Sequence, residues 1–66
     1  MVKNKLKEIR MREYMMAPGE FAKHIGVDIK TYSAWENNHS RPTLERAIIF
    51  ANKLNKDVKE IWYVDS

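Results

Sequence analysis

Apolar side chains recur at three- and four-residue intervals along most of this chain, the spacing of helices that bury one face. Leu6 and Ile9 begin the series, with part of a Met/Tyr cluster behind them, and Phe21, Ala22 and Ile25 continue it. Tyr32 and Trp35 come next. Leu44, Ala47, Ile48, Ala51 and Leu54 then form a continuous inner stripe, with Ile49 and Phe50 beside it. No stretch alternates convincingly enough to predict a strand. The pattern predicts five short helices in an all-α fold, with no internal repeat and no low-complexity segment.

Local chemistry sets the boundaries. Asn4 is placed to cap a first helix over roughly 5–15. "MMAPG" breaks that helix. Pro18 suits the first position of the next, where its missing N–H would be unpaired anyway. Ala17 is a poor cap and Gly19 a poor helix former, so this second helix, roughly 18–25, starts weakly. Gly26 ends it by accepting a left-handed conformation. Asp28 caps a third helix over roughly 29–37, with Asn38 as a left-handed stop. The polar loop "NNHSRP" ends at Pro42, Thr43 caps the fourth helix, and Asn55 stops it. Glu45 in the fourth helix's first turn complements the helix dipole. Asp57 and Glu60 form an Asp-x-x-Glu variant of the capping box for a last helix in "VKEIWY".

Composition narrows the function. A chain of 66 residues has room for one domain, residues 1–66. It contains no Cys, so no disulfide supports the small core, and a reducing compartment fits. No apolar run reaches membrane-spanning length, and the basic opening "MVKNKLKEIRMR" reads as a first helix rather than a signal peptide. The expected setting is cytoplasmic, at the nucleoid, with no membrane partner. Metal-ligand clusters, nucleophile–base pairs and phosphate-cradling glycine loops are all missing, and the chain is short for a pocket. Neither an enzyme nor a cofactor, metal site or small-molecule ligand is expected.

Charge adds a direction. Net charge is +3, but residues 1–42 carry eight Lys/Arg against five Asp/Glu, and residues 43–66 carry four of each. The surplus therefore lies in the first two-thirds and points to an anionic partner there, the plain alternative being a solvated basic face.

The spacing between the second and third helices is the most informative feature. A helix-turn-helix needs a small residue where its two helices touch, a glycine at the turn, and buried apolar residues on the second helix. Ala22, Gly26, Tyr32 and Trp35 stand at those places, a pattern that an unrelated helical bundle can also show. With "LKEIR", "FAKHIGV", "YSAWEN", "RPTLERA" and "LNKDVKEIW", it makes residues 4–63 resemble the Cro/repressor-type (Xre-like) helix-turn-helix regulators of bacteria and phages. The resemblance implies a five-helix, lambda-repressor-like domain that binds double-stranded operator DNA, usually as a homodimer, through its third helix. Between Ile9 and Phe21 the chain is one residue longer than in many relatives.

With Tyr32 and Trp35 inward, Lys30, Ser33, Ala34 and Asn37 fall on the opposite side of the third helix, and Ile29 lies at its N-terminal edge. In a helix-turn-helix that surface enters the major groove. Base readout is therefore expected from Ile29, Lys30, Ser33 and Ala34: the lysine donating to guanine, the serine reaching a base edge or phosphate, and the isoleucine and alanine packing on thymine methyls. None of these four is an Arg, Gln or Asn, so direct readout is modest and DNA shape carries more weight. Backbone contacts are expected from Gly19 at the start of the second helix, and from Thr31, Asn37, His39 and Arg41. Ala17 and Pro18 stand where relatives place polar phosphate-binding side chains, leaving the Gly19 and Glu20 amides for that contact.

Arg10 and Glu36 match positions that pair across the first and third helices in relatives, and a structural ion pair is expected. Ile49, Trp62 and Tyr63 are the expected dimer surface, because one small helix cannot bury Ile48, Ile49 and Phe50 equally. The leading function is a transcription regulator, most simply a repressor. The alternatives are the antitoxin of a toxin–antitoxin pair and a protein-interaction module that has lost DNA binding.

Overall fold

A computed structural model describes residues 1–65 of the chain. Its elements in order are β1 (Val2–Asn4), α1 (Leu6–Ile9), a π-helical segment (Arg10–Tyr14), α2 (Pro18–Ile25), α3 (Ile29–Glu36), α4 (Leu44–Lys53), α5 (Val58–Ile61) and β2 (Trp62–Val64). Helices dominate, and α2, the turn at Gly26 and α3 pack as a helix-turn-helix. None of the described helices is long and apolar enough to cross a membrane.

The capping chemistry accounts for most boundaries. Asp28 Oδ2 accepts from Thr31 N–H at 3.1 Å at the start of α3, and Thr43 Oγ1 accepts from Arg46 N–H at 3.3 Å at the start of α4. Glu20 reaches back to accept from Ala17 N–H, and Glu60 does the same for Asp57. Gly26 (φ 83°), Asn38 (φ 63°) and Asn55 (φ 56°) take left-handed conformations at helix ends. At Gly26 an added Cβ would also meet Lys53 Nζ at 3.2 Å. That ammonium donates to the Ile25 carbonyl at 3.2 Å, so a cation from α4 completes the C-terminus of α2.

Two features were not expected. The chain ends pair as an antiparallel ribbon, with Val2 opposite Val64, Lys3 opposite Tyr63 and Asn4 opposite Trp62. Three residues are too few to show alternation, and the partners lie at opposite ends of the sequence. The last helix therefore stops at Ile61, and Trp62 and Tyr63 are strand residues. The second feature is the π-helical turn over Arg10–Tyr14, which closes on Met15 in a left-handed conformation (φ 50°). A π turn holds one more residue than an α-helical turn, and Ile9 and Phe21 on either side of it are both in the core.

One cluster of side chains forms that core, built from Leu6, Ile9, Phe21, Ala22, Ile25, Val27, Tyr32, Trp35, Ala47, Phe50, Ala51, Leu54, Ile61 and Trp62. The rings of Phe21 and Tyr32 meet edge-on at 5.5 Å, and those of Trp35 and Phe50 lie 5.2 Å apart, so aromatic contacts lock α3 to both α2 and α4. The face of α4 is rotated from the expected one. Ala47, Phe50, Ala51 and Leu54 point inward, whereas Leu44 (71%) and Ile48 (43%) are exposed. The Phe50 ring packs against that of Trp35, so this side of α4 faces inward.

Candidate nucleic-acid interface

The inner side of α3 is fixed by burial: Tyr32 is fully buried and Trp35 nearly so. Its outer side is open. Ile29, Lys30, Ser33, Ala34, Asn37 and His39 together line one shallow depression. All four expected base-reading residues are thus on one surface, joined there by Asn37 and His39. Ile29 is 46% exposed although it is apolar. Its neighbour Asp28 caps the helix, so the side chain of residue 29 stands at the helix end instead of leaning into the core.

The remaining expected backbone contacts, Gly19, Thr31 and Arg41, do not line this depression. Thr31 serves the cap: its hydroxyl donates to Asp28 Oδ1 at 2.7 Å, so its proton is already engaged. The two Thr31 bonds, side chain first, hold the Asp28 carboxyl below its ordinary pKa, which keeps the cap ionised. Gly19 sits in the first turn of α2. The first amide bond of that helix runs from Phe21 N–H to Ala17 O, so the Gly19 and Glu20 amides lie beyond the helix's own acceptors. Arg41 is exposed on the other side of the loop, beside a groove of Val2, Pro42, Leu44, Ala47, Val58 and Trp62. Lys30 and Arg41 enter no ion pair among the described residues, while Lys3, Arg12 and Lys56 are paired with Asp65, Glu8 and Glu13.

Behind α3 lies a polar cluster. Arg10 donates from Nε to Glu36 Oε2 at 3.1 Å and from Nη2 to Glu36 Oε1 at 3.2 Å, a bidentate pair. Its Nη1 donates to the Met16 carbonyl at 2.9 Å, just ahead of α2. The Tyr32 hydroxyl also donates to Glu36 Oε2, so it is held inside the protein and does not project toward a phosphate. Burial alone would raise the Glu36 pKa, but the bonds from Arg10 and Tyr32 and the Arg10 charge outweigh it, and the carboxyl lies below its ordinary value. Burial, followed by the bond to Glu36, pushes the Tyr32 phenol up. Arg10 thereby ties the entry to α2 to the end of α3, the two elements of the motif.

The expected dimer surface changes most. Trp62 is only 9% exposed and belongs to the core, because β2 turns its ring inward behind the ribbon. Ile49 (47%) and Tyr63 (39%) remain exposed. Sequence reasoning missed three polar contacts of this region: Lys53 at the end of α2, Arg46 over the rings of Trp35 and Phe50, and Asn4 against α3. Except for Arg46 over Phe50, one turn apart on α4, each joins different elements of the fold, and no local pattern announces them. Among the described residues, no group of three His, Cys, Asp or Glu side chains is placed to hold a metal ion.

Two helices crossing through a glycine turn, one anchored by aromatics and open on its other side, define a helix-turn-helix protein. A family model described as helix-turn-helix matches residues 6–61, which is most of the chain. The chain belongs to this family, in its Xre/Cro-like branch, and membership supports a DNA-binding regulatory role in general. A comparison with curated proteins finds no match.

Proposed function

We propose that this protein is a sequence-specific, double-stranded DNA-binding transcription regulator, a repressor of bacterial or phage type with a lambda-repressor-like domain. In this reading α3 lies in the major groove, with Ile29, Lys30, Ser33 and Ala34 toward the base edges. Gly19, Asn37, His39 and Arg41 meet the phosphate backbone. The observation that carries the reading is the single open surface made by Ile29, Lys30, Ser33, Ala34, Asn37 and His39 on a helix whose opposite face is bolted into the core.

The protein acts as a homodimer on paired half-sites about one helical turn apart. Leu44, Ile48 and Ile49, all left exposed on α4, support a two-fold apolar contact, whereas Tyr63 lies apart from them, beside Lys5 and α1. The roles of Lys30 and Arg41 separate in a binding assay across many duplex sequences. Lys30→Ala relaxes sequence preference. Arg41→Ala weakens binding to all sequences alike and reduces the salt slope by about 1. Equal loss of preference from both variants would contradict these assignments.

A further inference from the structure

Asn4 makes three side-chain hydrogen bonds, and two of them leave its own neighbourhood. Its Oδ1 accepts from Leu6 N–H at 3.0 Å, a local turn that opens α1. Its Nδ2 donates to the Trp35 carbonyl at 2.7 Å and to Asn38 Oδ1 at 3.0 Å, across 31 and 34 positions of sequence. Both acceptors stand at the C-terminal end of α3.

That end is where the loop bearing Asn37, His39 and Arg41 is hung. The His39 and Ser40 amides donate to the Ala34 carbonyl at 2.8 and 3.2 Å, and the Asn38 amide to the Trp35 carbonyl at 3.1 Å. Asn4 thus shares the Trp35 carbonyl with Asn38 and holds the Asn38 side chain as well. The backbone of Asn4 is itself fixed in β1 opposite Trp62, a core residue. The terminal ribbon, one amide side chain and the loop after α3 form one connected unit.

We infer that Asn4 is a positioning residue for DNA binding: it fixes the left-handed turn at Asn38, and through it the loop that carries Asn37, His39 and Arg41 to the phosphates. The inference rests on the DNA-binding reading above. Asn4 itself touches no DNA, and its effect passes entirely through Trp35 and Asn38.

Asn4→Ser separates the two jobs. Serine can keep the turn to Leu6 N–H, more weakly, but is too short to reach Trp35 or Asn38, and it adds no charge. Two readouts are taken: amide exchange of His39 and Ser40 against core amides such as that of Ala51, and binding to random-sequence duplex DNA over a salt series. The expected result is exchange in the loop about ten-fold faster with the core unchanged. Binding weakens, and its log–log salt slope becomes shallower by about 0.9 for each phosphate that is no longer neutralised. A merely structural role would lower the folded fraction and leave that slope unchanged.

Loop exchange equal to wild type would overturn the inference, as would faster exchange with unaltered binding and slope. A wild-type protein with no salt-dependent duplex binding would remove the DNA-binding reading and this role with it, and the exchange data would still show whether Asn4 holds the loop. If Asn4→Ser does not fold, Asn38→Gly serves instead. It suits the left-handed φ and deletes one of the two long-range acceptors, with the same pair of outcomes expected at smaller size.

Discussion

Replacing Arg10 by Met tests the cluster that ties α2 to α3. The substitution keeps an apolar stem and removes three hydrogen bonds: two to the Glu36 carboxylate and one to the Met16 carbonyl. Only 10% and 13% of the two charged side chains is exposed, so solvent compensates little. Among the described residues, Glu36 is left with Tyr32 as its one side-chain donor. Breaking a buried pair in this way costs about 3–5 kcal/mol, and the partial exposure places the expected loss near 3. A domain of 66 residues has roughly 3–10 kcal/mol in total, so the loss is a large fraction of its stability. Urea denaturation followed by circular dichroism measures it. A loss below about 1 kcal/mol, the range of exposed pairs, would refute the reasoning.

The same cluster has a pH signature. The Glu36 pKa is lowered in the folded state, so its contribution is complete above the ordinary carboxylate value of about 4.3. It is lost as pH falls through the lower folded value. In Arg10→Met the raising effect of burial is no longer outweighed by Arg10, so the acid loss shrinks or changes sign. Acid sensitivity identical in the two proteins would contradict this role for Glu36.

Other predictions follow from single features. Met15 is held at φ 50°, which costs a side-chain-bearing residue about 1–2 kcal/mol. Met15→Gly is expected to stabilise by about 0.5–1 kcal/mol after glycine's extra chain entropy, and a lower urea midpoint would count against the left-handed turn. In protein dilute enough to be monomeric, Phe50→Ala should cost about 3–5 kcal/mol and Leu44→Ala no more than about 0.5, the reverse of what the apolar stripe of α4 alone predicts. Comparable losses from the two would mean that α4 is not rotated as described.

Much of the fold was legible because its signals are local. Asp28, Thr43, Gly26, Asn38 and Asn55 act within a few residues of themselves, and each marks a boundary that the structure has. The outward set on α3 was legible for the same reason, since Tyr32 and Trp35 fix the phase of one short helix. Apart from the π turn over Arg10–Tyr14, the main misreadings are non-local. Which of Leu44, Ile48 and Phe50 is buried depends on the Trp35 ring against which α4 packs. The helical reading of Trp62 and Tyr63 failed because their partner strand is the other end of the chain. Asn4 is not the cap expected of it: Lys5 holds the N-cap position of α1, Asn4 bonds Leu6 N–H from the end of β1, and its two long bonds to the end of α3 have no counterpart in local sequence.

The most direct test of the central claim is a salt titration of wild-type binding to random-sequence duplex DNA. Cations beside the α3 surface that replace condensed counterions predict an affinity falling linearly on log–log axes, with a slope of about −0.9 for each phosphate neutralised. Absent binding, or binding indifferent to salt, would contradict a DNA-reading role and leave α3 as a surface for a protein partner.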